Sequence, residues 1–346
     1  MEQFLEALGQ PSILRLKGAD SSRRRMLCTL LHGNEPSGVQ AVFQYLKQGA
    51  QPAVDIDIVI ASVGTALTEP RFSYRMLPGK RDLNRCFRPP YDGDEGLLAR
   101  QILDYIRESQ PECLIDLHNT SGSGPAFAVA VKNDADHLAL TSLWTNDMIL
   151  TDLRLGALME LSEHNVPTVT IECGGANDRP SLMIATEGLQ RYFRNEHVRA
   201  RPGENYAVTC YRNPVRLEVR PGFQVAYTDD AYCDADISLH TNADQLNYGS
   251  LPPGEPIARL GPEGLKALQA NNHLGENVLD AYFCTHDQKL YARHTLKLFM
   301  VTTNKAIAER DCLLYFIEGA GSHSKIDSTI EGAAPHSTEG AGSGSA

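Results

Sequence analysis

The sequence predicts an α/β fold, a mainly parallel or mixed sheet flanked by helices, followed by a smaller β-rich C-terminal domain. Two observations carry this. Between residues 26 and 172, apolar runs of strand length alternate with stretches whose apolar residues recur at helical spacing. After Arg201-Pro202-Gly203 the alternation stops, and short β-branched and aromatic runs separated by turn residues replace it.

Taken in order, residues 26–31 (MLCTLL) form a strand that stops at His32-Gly33-Asn34. From Pro36 onward, Val39, Val42, Phe43 and Leu46 have helical spacing, and Pro36 suits a first helical turn. Val54 to Val63 reads as a strand, residues 96–109 as an amphipathic helix, and 113–117 (CLIDL) as the next strand. A strand at 126–131, a helix over 135–150, another near 155–163 and a strand at 166–172 continue the pattern. Beyond residue 207, runs such as VRLEV, FQVAY and LLYFI suit a β-rich unit, while 319–346 is a Gly, Ser and Ala tail expected to be disordered. The expected domains are therefore 1–200, 201–318 and the tail.

Composition narrows the function. A chain of 346 residues, 42% hydrophobic and 22% charged, can bury full cores. Its net charge of −11 argues against nucleic acid or an anionic membrane as partner. The start, MEQFLEALGQPSILRL, lacks the basic end and apolar run of a signal peptide, and no segment has 18 consecutive apolar residues. The eight cysteines include no C-x-x-C pair, which fits reduced thiols and a cytoplasmic location.

Four groups of residues carry chemistry. His32 and Glu35, in HGNEPSG, stand where a strand gives way to a helix, and an imidazole and a carboxylate so spaced can share one zinc ion. Alone, the pair reads as readily as a strand-closing histidine and a glutamate favoured by a helix N-terminus. His118, in CLIDLHNT, also follows a strand, and in parallel sheets functional groups gather at those carboxyl ends. Two histidines and one glutamate leave the fourth tetrahedral position open, as catalytic zinc sites do. Asp116, two residues earlier, can fix the imidazole tautomer. Glu172, in TVTIECGG, can face the open position as a general base. Its neighbour Cys173 should point to the opposite face as a core thiol. Last, Arg71 and the string Arg81-Asp82-Leu83-Asn84-Arg85 offer guanidinium forks suited to a carboxylate, or simply a solvated charged loop.

Together HGNEPSG, RDLNR, DLHNT and the strand ending in IECGG resemble, in order and spacing, the succinylglutamate desuccinylase and aspartoacylase family, which shares the zinc carboxypeptidase fold. The resemblance spans about residues 26–200. It implies one zinc ion held by His32, Glu35 and His118, with Glu172 as general base. It also implies Asn84 and Arg85 on a substrate carboxylate and Arg71, in TEPRF, polarising the scissile carbonyl. A tyrosine from the C-terminal domain is expected in the site, with Tyr282 and Tyr291 as candidates. The stretch from Leu155 to Glu172 contains no arginine, where aspartoacylase-like members place a further substrate contact. The implied activity is amide hydrolysis of a small N-acylated, acidic amino acid. The alternatives are a zinc carboxypeptidase acting on peptides or cell-wall fragments, and a non-catalytic protein that retains the metal site.

Overall fold

A computed structural model of the chain describes residues 1–230, 233–310 and 312–319. The tail expected over 319–346 lies, beyond Gly319, outside the described residues. Residues up to 212 build one mixed sheet of eight strands, in chain order β1 (Ser12–Leu16), β2 (Asp20–Thr29), β3 (Val54–Ile60), β4 (Leu114–Thr120), β5 (Phe127–Ala130), β6 (Asp147–Leu150), β7 (Thr168–Gly175) and β8 (Thr209–Arg212). Across the sheet they run β1-β3-β2-β4-β7-β5-β6-β8. The pairs β1–β3 and β7–β5 are antiparallel and the others parallel. The helices of this part are α1 (Glu2–Leu8), α2 (Ser37–Gln48), α3 (Val63–Leu67), α4 (Gly93–Ser109), α5 (Ala135–Ser142) and α6 (Arg179–Arg194).

The two-residue period of a strand assigns the faces of this sheet. Leu27, Ile115, Leu117, Ala128, Met148, Ile171 and Cys173 share one core with α2, α5 and α6 residues such as Val42, Leu140 and Leu189. Met26, Cys28 and Leu114 point the other way, into a second cluster with Ile102 and Ile106 of α4. Fully burying one such side chain contributes about 1.5–3 kcal/mol, so both layers are strongly held. Even-numbered positions further along β4 and β7, Asp116, His118, Thr170 and Glu172, follow Leu114 onto the second face. Cys173 is buried in the first core, and burial pushes its thiol well up, out of reach of ionisation.

Two expectations change. The segment 135–150 is not one helix: α5 ends at Ser142 and β6 begins at Asp147. The segment near 155–163 is a 3-10 helix, Leu158–His164. Beyond residue 212 two five-stranded sheets share a hydrophobic core, the β-rich C-terminal region. One contains Val215–Val219, Leu296–Phe299 and Leu314–Glu318; the other contains Pro256–Leu260, Phe283–His286 and Lys289–Ala292. Phe127 and Ile149 of the large sheet pack with Phe299, and Tyr248, Met300 and Tyr315 surround them. No helix among the described residues is long and apolar enough to cross a membrane.

Gly38 sets how close α2 lies to the sheet. A Cβ there would stand 3.0 Å from Leu117 Cβ and in collision with the buried Thr29 hydroxyl. Gly38→Ala is therefore expected to cost about 1–3 kcal/mol through overpacking. A thermal melt unchanged from wild type would refute that reading of the contact.

Candidate active site

The site is assembled at the carboxyl ends of adjacent parallel strands. Leu30, just after β2, takes a left-handed φ of 58°, which turns the chain so that His32 comes back over the sheet edge. Pro36 caps α2 directly after Glu35. His118 lies on β4, in register with Glu172 on β7. Gly174, at φ 98°, lets the chain turn away at once, and a Cβ there would lie 2.7 Å from the Gly124 carbonyl.

His32, Glu35 and His118 are all buried and meet in one cluster, with their candidate ligand atoms within 4.8 Å of one another. Nδ1 of His32 lies 2.7 Å from Glu35 Oε1, and Nδ1 of His118 lies 2.7 Å from Glu35 Oε2. On the outer side each imidazole has its own carboxylate. His32 Nε2 donates to Asp82 Oδ1 at 3.0 Å, and His118 Nε2 donates to Asp116 Oδ2 at 2.8 Å. Each imidazole thus has a carboxylate at both ring nitrogens; an ion held by the two Nδ1 atoms and Glu35 would leave the Nε2 protons donated to Asp82 and Asp116. Arg75 pairs with Asp82 at 2.9 Å and lies 3.6 Å from Glu35.

The electrostatics favour a cation in the cluster. Burial raises Glu35, yet His32 and His118 outweigh it and hold its carboxyl well below the usual range. Asp82 is likewise held low against burial, by His32, Arg75 and Arg85. Burial alone would lower His118, but Asp116 and Glu35 raise it well above the ordinary imidazole value. Positive charge is thus stabilised where the inward nitrogens meet. Glu172 behaves oppositely. Its Oε2 is buried without a hydrogen-bond partner, and burial pushes the carboxyl up to about 7, with His118 opposing the shift and Glu35 adding to it.

A cavity of about 530 Å³ opens over the cluster, a volume typical of small-molecule sites. Asn84, Arg85, Arg75 and Glu172 line it together with the three cluster residues. Asn84 Oδ1 accepts the Leu158 N–H at 3.0 Å, which ties the 3-10 turn Leu83–Arg85 to the next loop and leaves Nδ2 for a ligand. Arg85 donates to the Asn84 carbonyl and has no ion pair among the described residues.

Two expected residues are elsewhere. Arg71 does not reach the cavity: Glu2 and Glu6 of α1, and Glu69, hold its guanidinium at 2.8, 2.9 and 2.9 Å. The arginine that lines the cavity from the same loop is Arg75. Tyr291 lies on the strand Lys289–Ala292, paired with Cys284, and Tyr282 stacks on Phe316; neither lines the cavity. Among the described residues, the C-terminal tyrosine that does is Tyr315. Asp82 received no role from the sequence, although it stands inside the RDLNR string.

Fold and site together define a mixed α/β protein with a buried His–Glu–His group that could hold a metal ion beneath a small-molecule cavity. The succinylglutamate desuccinylase/aspartoacylase catalytic domain profile matches residues 22–195, and the chain belongs to that family, whose members are hydrolases acting on N-acyl amino acids. Solved structures share the fold. A succinylglutamate desuccinylase from Chromobacterium violaceum is 13% identical, with a TM-score of 0.58 over 92% of this chain and 96% of that one. A succinylglutamate desuccinylase/aspartoacylase from Rhodobacter sphaeroides is 14% identical, with a TM-score of 0.56 over 90% and 89%. A product-bound ectoine utilization protein from Ruegeria pomeroyi is 18% identical, with a TM-score of 0.53 over 88% and 87%. No curated protein sequence matches the chain.

Proposed function

We propose that this chain is a zinc-dependent amidohydrolase that cleaves the amide bond of N-acylated amino acids, with Glu172 as its general base. The observation that carries the reading is the half-buried Glu172 carboxyl, whose Oε2 is enclosed without a hydrogen-bond partner, beside three converging metal donors. Two imidazoles, each backed by a second carboxylate, and one shared carboxylate suit zinc, and the stabilised positive charge between them fits a single divalent ion. When bound, the ion supplies Lewis acidity that polarises the amide carbonyl and acidifies the attacking water.

The remaining steps belong to the chain. Glu172 takes a proton from the water and returns it to the departing amine, which is a poor leaving group as an anion. Arg85 and the Asn84 amide hold the carboxylate of the leaving amino acid. Arg75, rather than Arg71, is the arginine of this loop that lines the cavity, and its ion pair helps to keep Asp82 ionised. In the same reading residues 1–200 form the catalytic unit, and residues 201–318 close the cavity from above. The separate hydrophobic clusters support this division, although β8 joins the large sheet from beyond residue 200.

Zinc-loaded protein should hydrolyse simple N-acyl amino acids at least tenfold faster than short peptides with blocked N-termini. The reverse preference would favour a carboxypeptidase. For Arg85→Lys, loss of the bidentate contact should cost roughly 1.5–3 kcal/mol, or about one to two decades in kcat/KM. The carboxamide analogue of the substrate should be poor for wild type and indifferent to that substitution. Equal turnover of acid and amide by wild type would remove Arg85 from this role.

A further inference from the structure

The register of the large sheet lays out the cavity floor. Asp116 on β4 is opposite Thr170 on β7, Thr170 is opposite Val129 on β5, and Val129 is opposite Ile149 on β6. Partners in register point to one face, so this row starts beside the metal donors and turns apolar after β7. Above Val129 and Ile149 the C-terminal region adds Met300, Ile307 and Tyr315 to the cavity lining. Val129, Met300 and Tyr315 are continuous with the buried Phe127–Ile149–Phe299 cluster, so this end is an extension of a hydrophobic core.

The cationic side of the cavity lies elsewhere. Arg75 and Arg85 are its lining arginines among the described residues, with no lysine, and Arg75 is committed to Asp82 and Glu35. Arg85 is therefore the lining arginine that has no ion pair among the described residues. It belongs to the turn that follows Asp82, the partner of His32 after β2, and that the Leu158 N–H ties to the loop before β7. Val129 and Ile149 lie on β5 and β6, beyond β4 and β7 in the strand order.

We infer that the substrates are N-acyl amino acids with a single carboxylate and an apolar acyl chain of about four to eight carbons, not a dicarboxylic acyl group. The inference rests on the amide-hydrolysis reading above. With the α-carboxylate on Arg85 and the scissile carbonyl between Glu35 and Glu172, the acyl group extends over Val129 and Ile149. Among the described residues no arginine or lysine lines the cavity there. A second carboxylate would be desolvated without a partner, whereas each buried methylene gains about fourfold. On this inference the substrate is monoanionic, where the family resemblance implied an acidic amino acid.

Glycine as the common amino acid isolates the acyl group. Rates should rise from N-acetyl- to N-butyryl- to N-hexanoylglycine by at least tenfold overall. N-succinylglycine, which matches butyryl in carbon number but ends in a carboxylate, should lie about 100-fold below it. In the Glu172→Gln variant, whose turnover is slowed, titration calorimetry should give the same order of binding. Ile307, half-buried on the helix Lys305–Arg310, allows a reciprocal test. Ile307→Arg should depress hexanoyl turnover and raise succinyl turnover by about tenfold each, and a thermal melt would confirm the fold. Flat rates across the series, a preference for succinyl, or a gain that follows apolar amino-acid side chains instead would overturn the inference while leaving amide hydrolysis intact. If no N-acyl amino acid were cleaved, the hydrolysis reading itself would fall and this inference with it.

Discussion

Glu172→Gln is expected to lower kcat by about 10²–10⁴-fold while zinc content and substrate affinity stay near wild type. The magnitude is that of general acid–base catalysis, because glutamine keeps the size and a hydrogen-bonding group but cannot accept a proton. Zinc should be retained because the converging donors are His32, Glu35 and His118, and Glu172 is not among them. Loss of zinc in the variant would make Glu172 a ligand, and full activity would send the search for the base elsewhere. A second readout needs no catalysis. Burial raises the Glu172 carboxyl from 4.5 to about 7, so folding favours its protonated form. In metal-free wild type, stability is therefore lost as pH rises from 4.5 through about 7, where the folded protein must ionise a buried acid. Glutamine removes that cost. The metal-free variant should melt above metal-free wild type at pH 8, and the two should converge near pH 4.5.

The residues that were legible in the sequence are those whose position depends on one strand end. His32, His118 and Glu172 each follow a continuous apolar run, and a parallel sheet brings such ends together whatever the loops do. Asp116 and Cys173 were legible for a related reason, since the two-residue period fixes their faces. What the sequence does not place depends on longer geometry. Arg71 and Arg75 are four apart in one loop, and only the folded chain shows that α1 supplies glutamates to the first and leaves the second at the cavity. Asp82 gained its role from a turn that approaches His32 across fifty residues. β6 was absorbed into a helix because helical spacing persists to Trp144 and the four-residue strand after it is too short to announce itself. The apolar end of the cavity needs the register of β5 on β6 and the docking of Met300 and Tyr315, and neither is a local property.

His118→Ala should abolish most zinc binding and reduce activity at least as far as Glu172→Gln. Two donors remain of three, and the inward lone pair that Asp116 had oriented is gone. The fold should survive, because the core under β4 is built from Ile115 and Leu117 on the opposite face, together with α2 and α6. Stability should nevertheless drop, for a reason separate from the metal. Asp116 is fully buried, and its Oδ2 would lose its main partner while Oδ1 already has none. Stripping one member from a buried pair costs about 3–5 kcal/mol. Removing Asp116 as well, in His118→Ala/Asp116→Ala, takes away the stranded charge and should recover part of the melting temperature. Zinc, measured by elemental analysis, should stay low in both variants. Full zinc occupancy in either would sink the ligand assignment. A double variant no more stable than the single one would show that Asp116 was not the source of the loss.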